Sequence, residues 1–130
     1  MASAKIEVLL LQGPVTVAYR REGRKWHATV LQFDLVGIGK TPQAAFNELQ
    51  GVVNTYLQEI LKTKGPVRLF NPSEPCEWES PRRESYHVAI AAVKSGGARR
   101  VPRPVRNADD LRRLRNRIAG FNLVPAAASA

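Results

Sequence analysis

Between Thr41 and Thr63 the apolar residues Ala45, Phe46, Leu49, Val52, Val53, Tyr56, Leu57, Ile60 and Leu61 recur at steps of three and four. Asn47, Glu48, Gln50, Asn54, Thr55, Gln58 and Lys62 fall between them. That period predicts one long amphipathic helix with a single apolar face, which needs a sheet or another helix to cover it. Thr41 is placed to cap the free amides of the first turn, and Pro42 suits the first helical position, where its missing N–H costs nothing. Lys62, Lys64, Gly65 and Pro66 predict the stop, with cations at the negative end of the helix dipole and Gly65 able to take the left-handed closing conformation. Gly51 falls on the polar face, as a tolerated surface glycine or as a point of close approach.

Around this helix the period changes to two. Residues 5–11, KIEVLLL, begin as a strand and become apolar on both faces, as a strand covered twice or shared with a second subunit would. Val15, Val17 and Tyr19, then Trp26, Ala28 and Val30, alternate with more polar neighbours on either side of a loop at Gly23, which predicts an antiparallel hairpin. Phe33, Asp34 and Leu35 read as a turn, and residues 36–39 as a short third strand. Its alternate glycines, Gly37 and Gly39, bare one face for close packing or a bend. After the helix, residues 67–70 suggest a short strand and residues 71–84, rich in proline and mixed charge, a loop or arm. Trp78 within it must dock on the core or await a partner. Residues 86–93 form the clearest late strand.

Residues 94–107, KSGGARRVPRPVRN, read as an extended connector. A second helix follows from Asn107 or Ala108, with Asp109 and Asp110 at its positive end and a stripe of Leu111, Leu114 and Ile118 among arginines. Val124 to Ala130 resemble a loose tail. The predicted fold class is therefore α+β: a small antiparallel sheet, hairpin plus short third strand, packed by one long amphipathic helix, with a later returning strand and a C-terminal basic helix. Residues 1–93 form the core and residues 94–130 a basic linker, arginine-rich helix and tail.

Composition adds charge and excludes chemistry. The chain of 130 residues suits one core, and its formal net charge is +9. Residues 94–117 hold nine Lys/Arg against Asp109 and Asp110 alone, a block that suits an acidic partner, DNA or RNA first, or a solvated tail. Arg99, Arg100, Arg103, Arg106, Arg112, Arg113 and Arg117 are the candidate phosphate contacts. No aromatic lies within residues 88–120 to stack on bases, which argues against reading of single strands. The lone Cys76 cannot form an internal disulfide, and with His27 and His87 it makes no zinc spacing. No cofactor is expected. His27 reads as an ordinary strand histidine, and Ser95-Gly96-Gly97 lacks the lysine and helix of a P-loop. With no nucleophile beside a base and no carboxylate pair at useful spacing, the chain is not expected to be an enzyme. No long apolar run or secretory signal pattern is found, so a cytoplasmic protein without membrane association is expected.

Residues 15–62 resemble the HicB-like antitoxin domain of toxin–antitoxin systems. The resemblance rests on the glycine hairpin followed by an aromatic (Gly23, Trp26), on the Gly39-Lys40-Thr41-Pro42 entry to the helix, on Ala45 and on the spaced apolar positions after it. It implies a degenerate ribonuclease H-like fold of three antiparallel strands, one crossing helix and a further strand, for which residues 86–93 are the candidate. It further implies a non-catalytic protein that neutralises a HicA-type ribonuclease toxin by binding it, often as a homodimer or larger assembly. No helix-turn-helix or ribbon-helix-helix module follows, although the basic C-terminal segment could serve DNA-binding autoregulation. Ribonuclease H chemistry needs several carboxylates around two metal ions, and the predicted strands offer only Glu7, with Asp34 at a turn.

Overall fold

A computed structural model describes residues 5–94 and 105–126. It is α+β: an antiparallel sheet of six strands curls around one long helix. In chain order the elements are β1 (Lys5–Leu10), β2 (Val15–Glu22), β3 (Lys25–Val30), β4 (Leu35–Gly39), α1 (Pro42–Lys62), β5 (Arg82–Lys94), α2 (Ala108–Arg113) and β6 (Ile118–Pro125). The path through the sheet is β1-β5-β2-β3-β4, with β6 on β5 as well.

The 13-residue β5 is the spine. Its first half pairs with β2, from Val15 opposite Tyr86 to Tyr19 opposite Arg82. Its second half pairs with β1, from Leu10 opposite Ala89 to Ile6 opposite Val93. β1 and β2 thus lie end to end along one side of β5, and β6 takes the other side, with a register shift at Ala91/Ala92. The hairpin β2–β3 turns at Gly23, whose φ of 61° an L side chain rarely adopts.

α1 starts as its sequence requires. Thr41 Oγ1 accepts from the Ala44 N–H at 3.0 Å and Pro42 stands in the first turn. The helix ends at Lys62, with the Thr63 N–H bonded to the Glu59 and Ile60 carbonyls. Gly65, with φ of 88°, turns the chain afterwards rather than closing the helix itself. Leu49, Val53 and Leu57 of α1 share one buried cluster with Val17 and Val30 of the hairpin, Val88 and Ile90 of β5, and Phe121 of β6. The bare face of β4 brings the helix closest. A methyl at Gly37 would fall on the backbone of Ala45 and Leu49, and one at Gly39 would meet Ala44 and Ala45. Only glycine lets the two backbones approach so nearly.

The segment after α1 differs from expectation. Residues 67–70 form no strand; the ring of Phe70 stacks on Phe33 at 5.4 Å, and Leu69 accepts from the Tyr56 hydroxyl. The expected loop at 71–84 contains a 3-10 turn at Pro75–Glu79, and its last residues already belong to β5. Trp78 is docked: it is half-buried and donates from Nε1 to the Ser73 carbonyl at 3.1 Å. β1 is also not covered twice. Leu9 packs toward the core, whereas Ile6, Val8 and Leu10 are 67%, 65% and 45% exposed on the opposite face.

The C-terminal segment needs the largest correction. The basic helix stops at Arg113, so the stripe of Leu111, Leu114 and Ile118 does not continue along it. A 3-10 turn at Arg115–Arg117 follows, and residues 118–125 are strand rather than helix and tail. Phe121 and Leu123 alternate with Asn122 and Val124, and that period of two carries both apolar side chains into the core. Residues 105–125 accordingly share the hydrophobic cluster of the preceding strands.

Candidate interaction surfaces

A sheet that does not close on itself leaves edges, and each edge presents unpaired N–H and C=O groups. Two of them are met here by side chains of α1. On β6, Leu123 N–H donates to Gln50 Oε1 at 2.6 Å, Gln50 Nε2 donates to the Leu123 carbonyl at 2.9 Å, and Phe121 N–H donates to Asn54 Oδ1 at 3.0 Å. On β4, Ile38 N–H donates to Glu48 Oε1 at 3.3 Å. Gln50, Asn54 and Glu48 thus act on the sheet, although their spacing along the helix places them on its wet face. Among the described residues the bonds of β1 run to β5, and just past the strand Leu11 bridges Val105 in parallel, where the Gln12 N–H donates to the Val105 carbonyl at 2.7 Å.

The arginines of the C-terminal block divide sharply. Arg99, Arg100 and Arg103 lie outside the described residues. Arg112 is 14% exposed and holds the fold together: its Nη1 donates to the carbonyls of Gly65 at 2.6 Å and Thr63 at 3.2 Å, and its Nη2 pairs with Asp109 at 2.8 Å. A guanidinium there satisfies carbonyls just past the end of α1, where the helix dipole favours a cation. Arg117 donates from Nε to the Val93 carbonyl at 3.2 Å and stands 4.0 Å from Glu7. Arg106 and Arg115 are exposed, and Arg113, 74% exposed, has Asp110 at 3.8 Å.

On the outer face, residues of the 3-10 turn lie near β2 and β3. Arg20 Nη2 donates to both carboxylate oxygens of Glu77, at 2.6 and 2.7 Å, and the carboxylate raises the Arg20 pKa. Ala18, Thr29, Cys76 and Ser80 help line a cleft of about 220 Å³ beside this pair. Beneath the sheet, Tyr86 donates to Glu84 Oε2 at 2.8 Å. Its one proton is then committed, so Tyr19, whose hydroxyl lies 3.3 Å away, donates to Tyr86. Burial, and then this bond, push the Tyr19 phenol well above its ordinary range, and burial raises Tyr86 and Tyr56 as well. Arg82 lies over the Tyr19 ring at 4.6 Å and Phe46 stacks on Tyr86 at 4.9 Å. These are packing and orientation contacts.

Glu7 faces Arg117, and Asp34, in the turn before β4, accepts from Ser73 Oγ at 2.7 Å. His27 Nε2 lies 3.7 Å from Glu22. Among the described residues no three His, Cys, Asp or Glu side chains gather as a metal site would require, and no helix is long and apolar enough to cross a membrane. Comparison with protein-family models, with characterised proteins and with solved structures finds no match to this chain.

Proposed function

We propose that the chain is a non-catalytic HicB-like binding protein, an antitoxin or a stand-alone relative, acting in the cytoplasm by protein–protein binding on a HicA-type ribonuclease toxin. The supporting observation is the topology of residues 15–62 and what returns to it. Three antiparallel strands lie under one crossing helix, and β5 returns beside β2, antiparallel to it, which supplies the further strand that the HicB-like resemblance implies. The carboxylates on or beside the strands stand apart from one another, Glu7 beside Arg117, Glu22 beside Arg20, Glu84 accepting from Tyr86 and Asp34 accepting from Ser73, and among the described residues no three acidic, histidine or cysteine side chains gather to hold metal. The test is co-expression with a small HicA-type ribonuclease encoded beside it. Restored growth together with a co-purified stoichiometric complex is expected, and a ribonuclease still fully active in excess chain would refute the reading.

A second reading, phosphate binding by the basic C-terminal segment, is favoured by the exposure of Arg106, Arg113 and Arg115. Arg112 instead donates to the Thr63 and Gly65 carbonyls beyond the end of α1. Mobility shift of duplex DNA and RNA across a salt series tests it. Affinity should fall steeply with salt, with a log slope of about −0.9 per phosphate contact on duplex DNA. Binding insensitive to salt, or none at low salt, would refute it.

A further inference from the structure

We infer that the tip of the β2–β3 hairpin, together with Trp26, is a contact site for a single-stranded nucleic acid. The site is independent of toxin binding and of the C-terminal arginines. The hairpin outruns its neighbours in the sheet. β5 begins at Arg82, opposite Tyr19, and β4 ends at Gly39, opposite Trp26, whereas the hairpin continues through the rows Arg20–His27, Arg21–Trp26 and Glu22–Lys25. Its last row and the turn at Gly23 and Arg24 therefore stand clear of both β4 and β5.

The charges at the tip divide by face. Val17 and Tyr19 are buried toward α1, so Arg21 continues that face, and Arg20 and Glu22 lie on the other. On the outer face Glu22 is 3.7 Å from both Arg20 and His27, and Glu77 holds Arg20 as well. The one acid of the tip is thus matched there. On the inner face Arg21 stands directly opposite Trp26. Arg21, Arg24 and Lys25 are exposed, as is Lys40, the residue after the Gly39 that pairs with Trp26. Among the described residues none of these four cations is paired with a carboxylate. Arg21 Nε donates to the Gly23 carbonyl at 3.2 Å, which fixes its guanidinium over the turn and leaves its Nη groups for a phosphate. Holding the fork in place beforehand lowers the entropic cost of that contact.

The aromatic ring in this row decides the class of partner. Trp26 is half-buried: part of the indole packs against the core, and the rest is open beside Arg21. An indole among guanidinium and ammonium groups suits a base stacked on the ring with its flanking phosphates on Arg21, Arg24 and Lys25. Bases of a duplex are stacked on one another and do not reach the ring, whereas those of a single strand do. An acidic protein segment would use the cations and leave the indole idle.

The test is fluorescence anisotropy of labelled oligo(U), oligo(dT) and duplex DNA, each about twelve nucleotides long, titrated with the full chain over about 50 to 300 mM salt. A single strand should bind more tightly than the duplex, and the preference between oligo(U) and oligo(dT) tells RNA from DNA. Arg24→Ala and Lys25→Ala should each weaken binding and reduce the log salt slope by about 0.7. Trp26→Leu, which keeps an apolar side chain on the core, should weaken binding about fivefold or more while the slope and the circular dichroism stay unchanged. If Trp26→Leu fails to fold, quenching of the one indole left in Trp78→Phe by the bound single strand replaces it. No binding of either single strand at the lowest salt overturns the inference. So does binding that the substitutions at Arg24, Lys25 and Trp26 leave intact, or a duplex bound as tightly as the single strands. Arg113→Ala with Arg115→Ala is measured alongside, and binding lost in that pair alone overturns this site while leaving phosphate binding by the C-terminal segment standing.

Discussion

Replacing Gln50 by alanine removes the two hydrogen bonds, at 2.6 and 2.9 Å, that tie the middle of β6 to α1. Each neutral bond contributes about 0.5 to 1.5 kcal/mol, so about 1 to 3 kcal/mol is lost. Alanine is the better helix former by a few tenths of a kcal/mol, which leaves a net cost of about 1 to 2.5 kcal/mol. For a chain of this size that lowers Tm by about 3 to 10 °C. Asn54→Ala removes one bond, to Phe121, and should cost about half as much. Thr55→Ala, exposed on the same helix, is the control and should be neutral or slightly stabilising. Urea unfolding supplies the free energies, and native-state hydrogen exchange supplies the location. The Leu123 amide should exchange faster in Gln50→Ala by a factor commensurate with the measured loss. Unchanged stability together with an equally protected Leu123 amide would refute the role assigned to the helix amides.

Four further outcomes follow from the same contacts. Gly37→Ala should cost about 1 to 3 kcal/mol or fail to fold, because its methyl meets the backbone of α1, whereas Gly51→Ala meets nothing within 4 Å and should gain about 0.5 to 1 kcal/mol; paired thermal melts decide both. Arg112→Met should cost about 1.5 to 3 kcal/mol in urea unfolding and leave any salt-dependent binding of duplex DNA unchanged, since its guanidinium is held by Gly65 and Thr63. Raised phenol pKa values at Tyr19, Tyr56 and Tyr86 mean that the unfolded chain ionises first, so stability is full below about pH 10 and declines above it. Melts from about pH 8 to 11.5 should show that decline, shallower in Tyr19→Phe; a flat profile would count against burial of these hydroxyls.

The local signals in the sequence carried the hairpin, the glycine-faced third strand, the helix with its Thr41 cap and the returning strand, because each is written in short-range period or turn chemistry. β6 was concealed by a competing period. Leu111, Leu114 and Ile118 fit a helical stripe, and the alternation of Phe121 with Leu123 spans too few residues to outweigh it. Gln50 and Asn54 were legible as polar helix positions, but their use depends on a strand about seventy residues downstream curling back to them, a long-range relation that no local pattern encodes. The contacts of Arg112 were hidden for a similar reason: a charge run reads as a surface until the carbonyls it caps are known. The setting of β1 was half legible: its apolar residues suggested a strand covered twice or shared with a second subunit, whereas the structure pairs it on β5 and leaves Ile6, Val8 and Leu10 exposed.

The position of β5 also sets a timetable. Residues 15–62 can collapse as soon as they are made, because β2, β3, β4 and α1 contact one another in sequence order. β1 and the outer side of β2 must wait for residues 82–94, which arrive only after the long helix and the 3-10 turn. At about 5 to 20 residues per second that wait is a few seconds, and β6 comes later still. During it the nascent chain carries a preformed half-sheet with a bare side and an unattached apolar strand at its N-terminal end. A ribosome-bound chain stalled before residue 82 is accordingly the species most in need of a chaperone, and release of that requirement should coincide with the emergence of β5.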